Sequence, residues 1–336
     1  MLNPDAKLSE KVFADDVPQA STRDGFGHGV VEAGKSDSRV VVLCADLKES
    51  TRADIFEKEF PERFIEMGVA EQNMAGVAAG MARTGKIPFI ASYAVFNPGR
   101  NYEQIRTTIA LNNVPVKICG MHAGVSVGPD GATHQMLEDI GMMRMLPNMT
   151  VIAPCDAEEA RKAVVASAKT DTPVYLRFGR VDTPVFTTSE TPFQIGKALI
   201  LWEPDDGKQK PEVAILATGS LSYSALCAAR ALAGDGVETL VLHVPTVKPL
   251  DAEAVLDAAR RAGRVITVEE HQAAGGFGSA VAELLSDRHS VSIKRLGIHD
   301  QFGQSGSPDE LLAHYGLDSA NIEKTVHALV ARALKT

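Results

Sequence analysis

Short runs of Val, Ile and Leu recur along the chain, separated by stretches whose apolar residues return every three or four positions. In the first half the runs are RVVVLCADL, KIPFIASYA, VPVKICGMH, MTVIAPC and TPVYLRF. Continuous apolar runs read as strands buried on both faces, and their alternation with helices predicts a mostly parallel sheet covered on both sides. From Thr183 to Lys197 the text becomes TPVFTTSETPFQIGK, poor in periodicity and rich in Thr, Ser and Pro, which marks a domain boundary. The pattern then restarts with strands VAILATGS, VETLVLHV and RVITVEEH, helices SYSALCAARALAG and DAEAVLDAARRAG, and a helix opening near GGFGSAVAELL. The expected fold class is α/β, with two doubly wound domains over residues 10–186 and 194–336, the second the smaller.

One helix carries an anomaly. FIEMGVAEQNMAGVAAGMA, read as a helix from about Val69, has small or apolar residues on nearly every face, the pattern of an interior helix, yet Glu71 stands at its start. A buried carboxylate without a partner shifts its pKa upward rather than staying charged. The plain alternative is a first-turn acid that complements the helix dipole.

Composition narrows the function classes. At 336 residues with 45% apolar content, the chain has enough material for a core in each of two domains. A net charge of -9 argues against a sequence-independent grip on nucleic acid. Cys44, Cys119, Cys155 and Cys227 are far apart and show no metal-ligand spacing, so reduced thiols are expected. The N-terminus lacks the basic and apolar regions of a signal peptide and no run reaches membrane-spanning length, which predicts a cytoplasmic protein without membrane contact.

Two glycine-rich stretches differ in promise. GGFGSA, Gly275 to Ala280, follows a strand and opens a helix, but lacks the last glycine of a dinucleotide fingerprint, so tight strand-to-helix packing is the better account. CGMHAGVSVGPDGATHQMLED is harder to dismiss, because His122, Asp130, His134 and Gln135 lie in a loop after VPVKICG, at the strand end where open α/β sheets bind ligands. STRDG with Arg23, ADLKEST with Asp46 and Ser50, and VYLRFGR with Arg177 and Arg180 also sit near element ends.

Together GVAEQNM, DGATHQ, VEEHQAAGGFGSA and GIHDQFGQSGSPDELLAHYGL resemble the C-terminal half of transketolase, as the separate second subunit of a split transketolase, from about Ser21 to Gly316. The β subunits of 2-oxoacid dehydrogenases share the two domains and a similar AEQ element, and deoxyxylulose phosphate synthases share D-G-x-T-H-Q. These are the rival enzymatic readings; a non-catalytic scaffold that only binds a partner is the third.

The resemblance implies thiamine diphosphate as cofactor. Glu71 would touch the aminopyrimidine N1′ and share a proton with it, Tyr93 and Phe96 would stack on the ring, and Asp46 and Leu47 would border it. The third aromatic of the family pattern is replaced by Gly99. Arg23, Ser50, His122 and Arg177 would hold the phosphates of sugar substrates, Asp130 the sugar hydroxyls, and His134 would stand near the reacting carbon. The family's diphosphate and its Mg²⁺ or Ca²⁺ are bound through a Gly-Asp-Gly element and a spaced Asn. Here Gly234, Asp235 and Gly236 have no Asn following before Asn321, so a helix C-terminus explains them. An N-terminal transketolase-like subunit is therefore expected to supply that half, with self-association across a two-fold axis and a heterotetramer as the assembly.

Overall fold

The computed structural model describes residues 1–204 and 210–333; the expected second-domain limit at 336 falls outside them. Fourteen strands occur among these residues. The first eight are β1 (Gln19–Ser21), β2 (Val40–Cys44), β3 (Phe64–Glu66), β4 (Ile87–Tyr93), β5 (Lys117–Met121), β6 (Thr150–Ile152), β7 (Val174–Arg177) and β8 (Asp182–Pro184). The remainder are β9 (Leu199–Trp202), β10 (Val213–Ala217), β11 (Thr239–His243), β12 (Thr246–Lys248), β13 (Arg264–Gln272) and β14 (Ser292–Ile298).

A seven-stranded sheet has the order β12-β6-β7-β5-β4-β2-β3 and a five-stranded sheet the order β14-β13-β10-β11-β9. Both are parallel except at one edge, where β12 runs antiparallel to β6 and β9 antiparallel to β11. The five runs expected in the first half are all in the larger sheet, where β2 and β5 are buried along their whole length. The α/β class read from the apolar runs holds. β12 belongs to the second half of the chain yet completes the first sheet, so the sheets share a boundary rather than a loose linker.

The segment expected as the domain boundary is itself partly packed. Phe186 is buried among side chains of the second sheet, and the carboxylate of Asp156 accepts from the amides of Phe186 (2.9 Å) and Thr187 (2.7 Å). Of its polar residues, Thr187 and Thr191 are buried in capping and turn contacts, while Ser189, Glu190, Gln194 and Lys197 are exposed.

The helix carrying Glu71 spans Glu71–Arg83 and corrects the expectation of an all-buried helix. Glu71, Met74, Ala75, Ala78, Ala79 and Ala82 face the sheet, while Gln72, Asn73, Gly76, Val77 and Gly80 are exposed. Small residues made the sequence look uniformly interior, although only one stripe is covered.

Candidate active site

The carboxyl ends of β2, β4, β5 and β7 converge, and the side chains they release meet in one mouth. Helix Thr22–Ser36 points its first turn at the same place, opened by a capping box between Ser21 and Asp24. Arg23, in that turn, donates to the Ser50 carbonyl (2.8 Å), while Ser50 Oγ lies 2.6 Å from the Tyr93 hydroxyl. Asp24 fixes Arg52 beside them at 2.6 Å.

His122 is the centre of this group. It follows β5 in a left-handed conformation (φ 55°), and its ring lies 3.9 Å, centroid to centroid, from Tyr93. Burial first, then the positive charges of Arg23 and Arg180, push its pKa down to about 3. The imidazole is therefore neutral near pH 7, and its buried Nδ1 has no hydrogen-bond partner. Arg23 is likewise lowered, by burial and then by Arg52. Like charges held together around a neutral, unsatisfied imidazole favour an incoming anion.

Phe96 lies nearly parallel to Tyr93 (6.1 Å between centroids, 19°), and His134 meets both rings edge-on at 6.1 and 5.8 Å. Arg100 stacks over Phe96 at 4.5 Å and donates from Nη1 to Glu71 Oε2 at 2.7 Å. Glu71 is only 2% exposed and is the first residue of its helix. Its surroundings are not the purely apolar ones that the sequence predicts: a cation from the turn after β4 reaches it. Asn101 holds the same turn by donating to the Glu71 carbonyl (3.2 Å) and to Asn97 Oδ1 (3.0 Å), and Asn97 bonds in turn to the Ile90 and Cys119 carbonyls.

Of the residues expected from sequence, Arg23, Ser50, Glu71, Tyr93, Phe96, His122 and His134 are brought together. Asp130 is exposed at the rim, 3.7 Å from Arg180. Asp46 is exposed and Leu47 half-buried at the end of β2, where the Asp46 amide donates to Glu66 Oε1 (2.8 Å).

Arg177 is a correction. As the last residue of a strand buried throughout, it turns inward, where Nε donates to Asp139 Oδ2 (2.8 Å) and Nη2 to the Glu270 carbonyl (2.7 Å). A guanidinium committed in this way is a structural cation, not a phosphate ligand. Arg180 has left the strand, donates to the Val127 carbonyl (2.7 Å) and reaches the mouth. Arg52, Arg100 and Arg180 are the site residues that sequence reasoning did not assign. Only Arg180 carried a signal, its place at the end of VYLRFGR.

The two glycine motifs resolve as packing. Glu269 is fully buried and accepts from the amides of Phe277 (2.6 Å) and Gly278 (2.8 Å), filling the helix N-terminus where a dinucleotide phosphate would sit. A Cβ at Gly276 would lie 2.1 Å from that carboxylate. Gly234–Gly236 close the helix Leu221–Gly234, with Gly236 at φ 79°. All four cysteines are free thiols. Cys155 is grouped with Glu159 and His243, a buried cluster satisfied internally: Glu159 Oε2 accepts from the Cys155 amide (2.7 Å) and pairs with His243 Nε2 (2.8 Å), while His243 Nδ1 meets Ser222 Oγ (2.7 Å). No helix among the described residues is long and apolar enough to cross a membrane.

Comparison with known proteins bears on this geometry. The family model for the transketolase pyrimidine binding domain matches residues 18–185, and that for the transketolase C-terminal domain matches 205–322. A protein of Methanocaldococcus jannaschii named as a putative transketolase C-terminal section is 44% identical over 90% of this chain and 94% of its own. One subunit of the apulose-4-phosphate transketolase of Phocaeicola vulgatus is 37% identical over 92% of this chain and 97% of its own. Among solved structures, a split gene transketolase described as an inactive β4 tetramer superposes with a TM-score of 0.84 at 41% identity, covering 93% of this chain and 98% of that one.

Proposed function

This chain belongs to the transketolase family, as a subunit of the split type, and we propose that it transfers a two-carbon ketol unit between sugar phosphates, with thiamine diphosphate, once joined to a separate diphosphate-binding subunit. The observation that carries this is the junction at Tyr93 and Phe96. On one side lies the buried carboxylate of Glu71; on the other lie two histidines and three arginines.

The residues present fit the pyrimidine end of the cofactor: a buried carboxylate for a ring nitrogen and near-parallel aromatic rings for its faces. When bound, thiamine supplies the nucleophilic carbon and the electron sink. Glu71 would hold or release a proton toward N1′, and Phe96 and Tyr93 would hold the ring, with Asp46 and Leu47 at its border. Arg100 has to exchange its contact with Glu71 for the proton to be shared, and its side chain, 44% exposed, has room to do so. Arg23, Arg52 and Arg180 with Ser50 would grip the substrate phosphate through charge-assisted bonds. His122, neutral, would meet the substrate without adding charge, and Asp130 would offer an acceptor to the sugar hydroxyls. His134 would stand near the reacting carbon, its Nδ1 engaged 2.9 Å from Thr133 Oγ1.

The metal and the diphosphate would be held by the partner, an N-terminal subunit with Gly-Asp-Gly and a spaced Asn. Two relatives that match this chain over nearly their whole length, one a C-terminal section and the other a single transketolase subunit, support that arrangement. A two-fold heterotetramer in the cytoplasm is the assembly inferred. The test is substrate choice: the reconstituted pair should turn over xylulose 5-phosphate with an aldose phosphate acceptor and leave pyruvate untouched. Turnover of pyruvate alone would replace this reading with a dehydrogenase-like one.

A further inference from the structure

The loop from His122 to Gln135 carries three of the mouth residues, and its ties run to both domains. Ala123 bonds to the Phe178 carbonyl (3.1 Å), Gly124 to Met136 (2.9 Å), and Val127 accepts from Arg180. The second domain supplies others. The Ser126 amide donates to Glu270 Oε1 at 2.6 Å and Gln135 Nε2 donates to the Gln304 carbonyl at 2.9 Å, while just past the loop the Gln272 amide donates to the Leu137 carbonyl at 2.8 Å.

The glycines of the loop are shaped by the same contact. A Cβ on Gly124 would lie 2.3 Å from the Glu270 carboxyl carbon, and one on Gly131 would lie 2.7 Å from Ser305 Oγ. Both glycines also have positive φ, 93° and 72°. Their placement records the close approach of another domain.

Glu270 is 5% exposed, and burial raises its carboxyl pKa, opposed first by Arg177 and then by the Ser126 amide. Packing alone would be met more cheaply by an apolar side chain, since a buried carboxylate costs free energy unless its bonds are specific. The bond it makes falls on Ser126, midway between His122 and Asp130. Its own backbone is anchored as well, because its carbonyl accepts from Arg177, itself paired with Asp139.

We propose that Glu270 is a positioning residue: the second domain uses its carboxylate to hold the loop of His122, Asp130 and His134 in the geometry that receives substrate. This rests on the reading of those three residues as substrate-facing, and it gives the C-terminal domain a part in turnover besides assembly.

Two variants separate the acceptor from the volume. Glu270→Met fills the space without accepting a bond; Glu270→Gln keeps an acceptor and loses the charge. Amide hydrogen exchange on the full chain reads the loop directly. In Glu270→Met, exchange over residues 124–131 should accelerate at least about tenfold, with exchange in β4 and β10 unchanged; Glu270→Gln should stay within about threefold of wild type. In the complex with its partner, Glu270→Met should lower kcat/KM for the phosphorylated sugar by about tenfold or more, mainly through KM, with thiamine diphosphate affinity retained and Gln restoring most of the loss. Unchanged loop exchange in Met, acceleration spread evenly over the chain, or a Gln variant as loose as Met each overturns the proposal. Should Met not fold, a Gln variant whose loop exchange accelerates about tenfold or more overturns the proposal. A wild-type pair without ketol transfer would remove the transketolase reading and leave the exchange result standing.

Discussion

Arg177 and Arg180 leave the same strand three residues apart and do opposite work. Arg177 completes a buried network with Asp139 and Tyr175, whose hydroxyl donates to the same carboxylate at 2.7 Å. Removing it strands Asp139, so Arg177→Met is expected to cost about 3 to 5 kcal/mol of stability, read by denaturant unfolding. Arg180→Ala should leave stability nearly unchanged and weaken binding of phosphorylated sugars by roughly 1.5 to 3 kcal/mol through KM, with unphosphorylated acceptors little affected. The reverse assignment, a stability loss at Arg180 and a substrate effect at Arg177, would contradict the geometry. Choosing between two arginines in one short motif needs the point at which the strand ends, and that is set by pairing with β5 and β6, not by local sequence. Glu71 was legible for the opposite reason, since a carboxylate opening a run of small residues is conspicuous without any tertiary knowledge. Its partner Arg100 was not, because the contact spans 29 residues and depends on the turn held by Asn97 and Asn101. For Glu71→Gln, size and one hydrogen bond remain while titration is lost, and kcat is expected to fall roughly 10² to 10⁴-fold. Exchange of the thiamine C2 proton, followed by NMR in the complex, should slow similarly; wild-type exchange in the variant would return Glu71 to a first-turn acid that complements its helix dipole.

Helix Thr22–Ser36 shows the same contrast among elements. Four glycines at 25, 27, 29 and 34 argue against a helix by propensity, yet fifteen residues form one. The reason is close packing on the helix Ala157–Ala168: a Cβ at Gly25 would lie 2.1 Å from the Ala157 carbonyl oxygen, and one at Gly29 would lie 2.8 Å from that of Arg161. Gly25→Ala is therefore expected to destabilise by about 1 to 3 kcal/mol despite its better propensity. Gly76→Ala, where an added Cβ meets nothing within 4 Å, should stabilise the isolated chain by about 0.5 to 1 kcal/mol. Thermal or urea unfolding of the pair of variants checks both signs; a stabilised Gly25→Ala would refute the packing account. The strands that were legible are those buried on both faces, such as β2, β5 and β10. β14 was not, since an edge strand with mostly uncovered side chains (SIKRLGI) has no apolar run, and three-residue β12 exists only through its pairing with β6.

At the scale of the whole molecule, the two sheets act as one support for the mouth. The apolar cluster that holds Leu43 and Ile90 of the first sheet continues to Leu216 and Leu242 of the second, and β12 crosses between them. The loop with His122 and Asp130 is held from the second domain, so each half of the chain contributes to the geometry of the site. What this chain is not expected to contribute is a grip on diphosphate and metal, because its Gly-Asp-Gly merely closes a helix. The central claim, that catalysis is divided between two chains, is tested most directly by ketol transfer measured with this chain, the N-terminal subunit, and both, each with Mg²⁺, thiamine diphosphate, xylulose 5-phosphate and an aldose phosphate. Turnover should arise only in the mixture, saturate as the two chains reach equal amounts, and vanish with chelation. Robust turnover by this chain alone, or a stable mixed complex that never binds thiamine diphosphate, would contradict it.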